Sequence, residues 1–237
     1  MLATKPAGTI GAAACGYYRI TLMHDAMKCS WIVASKRSVR RGALILLTIC
    51  NAYGQHYFPP GILGKGHQQD EFTNQWYSKH LRALREPSFW ETSQSDLTAE
   101  AYRFLYLRSF HHPISVRLIV AQDKTTTLVL KKTNGKGGYE LGRLIRNRTI
   151  HMSQIQTESF LTALNELSFW SLPPLLEAEG NVVQTDGAQW ILEGVKEGRY
   201  HVVDRRSPDR TDDPIRIIGT KLMIELARFR LLYLDVY

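Results

Sequence analysis

The residues best placed to do chemistry lie late in the chain. Glu193, His201, Asp204 and Arg206 fall on two short segments of strand character, Gln189–Gly194 and Arg199–Asp204. A carboxylate beside an imidazole is the raw material of an acid–base couple, and an arginine alongside could hold an anionic substrate. Whether Glu193 meets His201 depends on how the two segments pair. With Gly194 opposite Arg199, Glu193 lies opposite Tyr200 and Leu192 opposite His201. Trp190, Leu192, His201 and Val203 then share one face and Glu193 leaves with Tyr200. A register shifted by one puts Glu193 against His201. The first register gathers the apolar residues on one side, so it is the expected one, and it makes His201 a structural histidine.

Other candidates carry less. His111 and His112 are adjacent, and neighbours on a strand point to opposite faces, so they do not share a metal. Asn134-Gly135-Lys136-Gly137-Gly138 has the glycines of a phosphate loop, but a strand follows it where a phosphate loop needs a helix. It reads as a turn. Neither a Gly-x-Ser-x-Gly elbow nor a His-Glu-x-x-His zinc motif occurs. No cofactor or metal is implied, and binding to an unidentified protein or small molecule is favoured over catalysis. A hydrolase-like enzyme using the Glu193, His201, Asp204 and Arg206 cluster is the alternative.

The elements that must position these groups follow from periodicity. Residues 55–70 contain Pro59-Pro60-Gly61, Gly64 and Gly66, the composition of a flexible stem. Phe72, Trp76, Leu81 and Leu84 predict an amphipathic helix over Glu71–Glu86, stopped by Pro87. Residues 87–99 read as loop, anchored by Phe89 and Trp90. Tyr102, Phe104, Tyr106 and Arg108 alternate with Arg103, Leu105 and Leu107 in a first strand. Ser115–Ala121, Thr125–Lys131 and Tyr139–Ile150 continue an antiparallel meander. Ser153 and Gln156 have capping-box spacing and open a helix whose apolar stripe is Ile155, Phe160, Leu164 and Leu167. Asp213 and Pro214 open the last helix, with Ile218, Leu222, Leu226 and Phe229 inward. The order is meander, helix, β-hairpin, C-terminal helix: an α+β fold packed as one domain over residues 100–237.

Charge and cysteine separate the N-terminus from the rest. The 237 residues carry a net +8, yet residues 1–54 hold seven of the 30 basic side chains and one of the 22 acidic ones. The remaining 183 residues carry a net +2, which argues against nucleic acid as a partner. All three cysteines, Cys15, Cys29 and Cys50, also precede residue 54. A cysteine-free domain is no disulfide scaffold and no thiol enzyme, and it suits an oxidising compartment.

Lys36-Arg37-Ser38-Val39-Arg40-Arg41, then Ala43–Cys50, then Ala52-Tyr53-Gly54 read as the basic, apolar and small-residue parts of a secretory leader. The apolar run is far short of the ~20 residues that cross a bilayer. Ile49 before Cys50 is too bulky for lipidation, and Gly42-Ala43-Leu44 after Arg40-Arg41 fits a twin-arginine signal poorly. Residues 27–54 are thus expected to be a signal peptide starting at Met27. Residues 1–26 are then an over-extended N-terminus, and residues 55–99 a flexible stem with one helix. Export to the periplasm or the medium follows, with no membrane span left after cleavage.

Asp186–Gly194, Gly198–Val203, Arg206-Ser207-Pro208 and Phe110-His111-His112-Pro113 together resemble a set of uncharacterised exported bacterial proteins, over about residues 100–230. The resemblance implies a bacterial source. It brings no activity and no functional residue.

Overall fold

The apolar residues of this chain alternate on both sides of its strands, so a sheet built from them must be covered twice. A computed structural model shows how; it describes residues 57–176, 186–208 and 211–229. The expected leader and residues 1–26 lie outside these. Helix α1 (His67–Ala83) and helix α2 (Phe89–Ser95) precede strands β1 (Glu100–Arg108), β2 (Ile114–Val120), β3 (Thr126–Thr133) and β4 (Leu144–Met152). Helix α3 (Gln154–Glu166) and a 3-10 turn at Phe169–Ser171 follow. Strands β5 (Ala188–Lys196) and β6 (Arg199–Arg206) then lead to α4 (Pro214–Thr220), which runs on as a π-helical turn through Leu226.

The six strands form one antiparallel sheet in the order β4-β3-β2-β1-β5-β6. The fold is α+β, as its element order predicts. The meander ends at β1, and the hairpin docks on the free side of β1, pairing Tyr102 with Gly194 and Tyr106 with Trp190. A central strand covered on both faces loses its polar side, which is why β1 is buried from Ala101 to Arg108.

On one face Tyr102, Phe104, Tyr106, Val116, Leu118, Leu130, Trp190, Leu192 and Val203 pack against Phe160 and Leu164 of α3 and Ile215, Ile218 and Leu222 of the last helix. Ser153 caps α3 with the full capping box, and Asp213 caps α4 by accepting from the Ile215 and Arg216 amides. Gly219 lets α4 lie close to the sheet. A Cβ there would stand 2.7 Å from the Phe104 ring and 3.1 Å from Trp190.

The other face is covered by the segment before β1. Leu105, Leu107, Ile191 and Val202 meet Tyr77 and Leu81 of α1 and its C-cap Leu84, together with Tyr57, Phe58 and Leu63. Tyr57, Phe58 and Leu63 therefore belong to the core, and the segment that carries them is not a free stem. Their backbone is stapled to α1 by a polar stripe at i, i+4, i+8. Asp70 accepts from the Gly61 and Leu63 amides at 2.7 Å each, Asn74 Nδ2 donates to the Phe58 carbonyl, and Ser78 Oγ accepts from the Tyr57 amide.

Further corrections are local. The segment read as loop over 87–99 contains α2, whose N-cap Ser88 accepts from the Glu91 amide; seven residues are too few for a periodic signal. Strand β4 begins at Leu144 and not at Tyr139, because residues 134–143 form a wide loop closed by Lys136 and Glu140. Phe72 and Ile155, both expected inward, are exposed.

Candidate functional site: a ring-walled cleft beside α1

The β5–β6 hairpin turns on two residues, Glu197 (φ 52°) and Gly198 (φ 73°), so Lys196 pairs with Arg199 and Gly194 with His201. Two consecutive left-handed residues make the tight turn whose twist matches a hairpin. Both registers weighed from sequence are thus displaced. The expected one is displaced by two residues, which preserves the faces: Trp190, Leu192, His201 and Val203 do share a side, and Glu193 and Tyr200 share the other.

The four sequence candidates separate accordingly. His201 lies on the α3–α4 side, its ring 5.0 Å from that of Phe169 and 6.0 Å from that of Trp170, and burial holds its pKa below the usual imidazole range. Glu193 lies on the α1 side and is fully buried. Its Oε2 accepts from Arg103 Nε at 2.8 Å and Nη2 at 2.6 Å, and its Oε1 accepts from the Tyr200 hydroxyl at 3.0 Å. The two do not form an acid–base couple. Asp204 and Arg206 share the α1 face with Glu193, further along β6.

Arg103 anchors a buried charge network that sequence reading missed. Across the sheet Arg103 stands between Glu193 on β5 and Arg117 on β2. Two arginines directly opposite would repel. Glu86, in the link between α1 and α2, lies over them and resolves the conflict. Its Oε2 is 2.7 Å from Arg117 Nε and 3.7 Å from Arg103 Nη1, and its Oε1 is 3.0 Å from Lys131 Nζ. Arg103 also donates to the Pro87 carbonyl at 2.6 Å and stacks over Phe89, 4.4 Å from the ring centroid. These contacts tie the end of α1 to three strands.

Toward the other end of α1 the same face opens into a cleft of about 360 Å³. Its floor is one row across the sheet, Leu107 on β1, Gln189 on β5 and Arg206 on β6. One wall is a single face of α1: Phe72, Thr73, Trp76 and Tyr77. The opposite wall is backbone, from Ser109, Gly137, Gly138 and Gly187. That wall is internally bonded. Gly138 N–H donates to the Ser109 carbonyl at 3.1 Å, Gly137 N–H to the His111 carbonyl at 2.9 Å and Ser109 N–H to the Gly187 carbonyl at 2.9 Å. Gly137 is required there, because a Cβ would stand 2.6 Å from the Arg108 carbonyl.

Three buried titratable groups, Tyr77, Asp204 and His80, lie in or behind the ring wall. The Tyr77 hydroxyl donates to Asp204 Oδ2 at 2.7 Å. Burial pushes the Asp204 carboxyl up to about 6, against the pull of that hydrogen bond and of Arg205. Burial and the neighbouring Asp204 push the Tyr77 hydroxyl well up, while Arg206 pulls the other way. His80, one turn beyond Trp76 and in edge contact with it at 5.0 Å, is fully buried, and burial pushes its imidazole down to about 4. Among the described residues no group of three or more His, Cys, Asp or Glu is arranged to hold a metal, and no helix is long and apolar enough to cross a membrane.

Compared with family models, curated proteins and solved structures, the chain matches none. The function has to be read from the cleft itself. The signal for it was present in the sequence as Thr73, Trp76 and Tyr77 on one helix face. Its other half depends on β6 lying beside β5, which no local pattern reports.

Proposed function

We propose that this chain is an exported bacterial binding domain whose ligand is a small ring-bearing carboxylic acid held in the cleft. The observation that carries the reading is the floor row Leu107, Gln189, Arg206 beneath the rings of Trp76 and Tyr77. A guanidinium and an amide at one side of an apolar, ring-walled hollow are what a carboxylate on a flat body needs. The volume of about 360 Å³ suits one ring. Binding is favoured over catalysis because Glu193 is committed to Arg103 and Tyr200 while His201 faces the opposite side of the sheet.

Export is supported by the three-part leader pattern and by the lack of cysteine after residue 54. Cleavage after Gly54 leaves every residue of the described core in the product.

Trp76 provides the readout for the cleft. Benzoate and D-glucuronate, titrated against the tryptophan fluorescence of the full chain, are expected to give saturable changes. Benzamide, which lacks the charge, gives none, and a Trp76→Phe variant loses the signal. Arg206→Gln weakens both acids at least tenfold. No saturable response to either acid overturns the reading.

A further inference from the structure

Strand β4 is a bare edge of the sheet. Its residues from Ile145 to Thr149 are all exposed, and Leu144–Met152 contains no proline. Open edges are ordinarily covered, shortened or broken, because unpaired backbone recruits further strands. The opposite edge, β6, is partly covered: the Asp204 amide donates to the Pro174 carbonyl at 2.8 Å, and Arg205 donates to the carbonyls of Pro173 and Pro174. The ladder shows which backbone groups β4 presents. The Ala121 amide donates to the Thr125 carbonyl and the Thr133 amide to the Pro113 carbonyl, so the odd-numbered residues of β3 bond to β2. Successive residues of a strand turn their amides and carbonyls to alternate sides. Lys132, Leu130 and Leu128 therefore bond to Arg146, Arg148 and Ile150. Ile145, Asn147 and Thr149 turn theirs away from the sheet.

The side chains of this edge carry one sign. Residues 143–152 include Arg143, Arg146 and Arg148 and no acidic residue. Arg146 stands directly opposite Lys132, and the two lie over the Phe229 ring at 5.9 and 5.7 Å. Among the described residues no carboxylate pairs with Lys132, Arg146 or Arg148. Burial and the neighbouring Arg108 and Arg146 hold the Lys132 ammonium below its usual range. Like charges directly opposite destabilise a sheet, so a carboxylate brought beside Arg146 relieves a conflict already present. Charge also decides between occupants. A second copy pairing centrally about Asn147 would set Arg146 against Arg148 across the two chains, like charge on like. An acidic strand laid antiparallel instead places carboxylates opposite both arginines. Those are the non-hydrogen-bonded positions of the new pair, where side chains across strands are closest.

We propose that β4 is a docking edge for an extended acidic segment of another protein, which adds to the sheet as a further strand with its carboxylates at alternate positions, opposite Arg146 and Arg148. Backbone pairing with Ile145, Asn147 and Thr149 holds the segment, and the two arginines select its charge.

Amide hydrogen exchange, followed by NMR on the isotope-labelled full chain, tests this with the peptide acetyl-Ser-Thr-Glu-Thr-Glu-Val-Ser-amide. Saturable binding should slow exchange at Ile145, Asn147 and Thr149. It should leave Arg146 and Arg148, whose amides already bond to β3, as they were. A peptide with lysine in place of both glutamates should not bind. N-methylation of the central threonine, whose amide faces β4, should abolish binding, while N-methylation of a glutamate, whose amide faces away, should not. The double variant Arg146→Gln, Arg148→Gln replaces exposed side chains and should weaken binding roughly fivefold or more. Absence of saturable binding overturns the proposal, as does equal binding by the lysine or the methylated-threonine peptide. Binding without the alternating slowing overturns it too, and reduces the arginines to a patch for anions in general. Self-association that slows the same three amides without peptide would give the edge to a second copy and overturn it as well.

Discussion

Replacing Glu193 by leucine should cost this protein a large part of its stability, and replacing Arg103 as well should restore most of it. Both side chains are fully buried and joined by two charge-assisted hydrogen bonds, 2.8 and 2.6 Å long. Glu193→Leu leaves the Arg103 guanidinium in the interior with Glu86 3.7 Å away and the Pro87 carbonyl as its remaining partners. Breaking a buried pair from one side costs about 3–5 kcal/mol. The Tyr200 hydroxyl loses its acceptor too, which adds about 1–3 kcal/mol if water cannot reach it. Against a typical total of ~5–15 kcal/mol this is severe. In urea, with a slope near ~2 kcal/mol per molar, a 4 kcal/mol loss lowers the midpoint by about 2 M. The pair of substitutions Arg103→Met, Glu193→Leu, with Tyr200→Phe to remove the stranded hydroxyl, takes away both charges and their desolvation together. Such replacements are commonly neutral or stabilising, so the triple variant should unfold within about 1–2 kcal/mol of the parent. Equilibrium urea unfolding of the parent, the single and the triple variant decides it. A Glu193→Leu unfolding free energy within about 1 kcal/mol of the parent's, or a triple variant no more stable than the single one, would refute the reasoning.

The Asp204 carboxyl, pushed up to about 6 by burial from an ordinary 3.8, binds its proton more tightly folded than unfolded. Its contribution to stability is therefore fully present below about pH 4 and is lost as pH rises toward 6, a change of about 3 kcal/mol. Asp204→Asn should flatten that limb in urea midpoints taken from pH 4 to 7, and equal slopes in the two proteins would refute the assignment. For export, N-terminal sequencing of product secreted from a bacterium expressing the chain from Met27 should read Gln55 first. A product retained in the cytoplasm with Ala43–Cys50 attached ends that proposal.

What sequence could and could not show follows the range of the forces involved. Alternation in Tyr102–Arg108 gave both faces of β1, because each residue there reports its own side. The capping box at Ser153 and the N-cap at Asp213 were readable for the same reason: donor and acceptor lie within three residues. The hairpin faces came out right and its register wrong, since a displacement of two residues preserves the side of every side chain while changing each partner. Placing Gly194 opposite Arg199 leaves Val195 and Lys196 out of the ladder, whereas they pair with Tyr200 and Arg199. Residues 55–70 read as a stem because prolines and glycines report local bends and not distant contacts. Phe58 is buried through Asn74 and α1, 16 residues away. Arg103 was legible as a charge on an inward position. Its partners, 17 and 90 residues distant at Glu86 and Glu193, were not.

The two faces of the sheet divide the labour in a way that bears on binding. The α3–α4 face is closely packed, with Gly219 bringing the last helix against Phe104 and Trp190. The α1 face is polar at both ends of the helix. At the start, Asp70 and Asn74 fix the incoming chain to α1; just past its end, Glu86 joins Arg117 and Lys131. Between these fixtures lie Thr73, Trp76 and Tyr77, the wall of the cleft. A helix held at both ends cannot shift its middle by much without breaking a buried hydrogen bond or ion pair, each of which costs more than thermal energy supplies. The cleft is therefore formed before any ligand arrives, and binding need not be spent on ordering its wall. That arrangement also explains why so many charges are tolerated in the interior beside α1: they do not add much net stability, but they specify one position of the helix on the sheet.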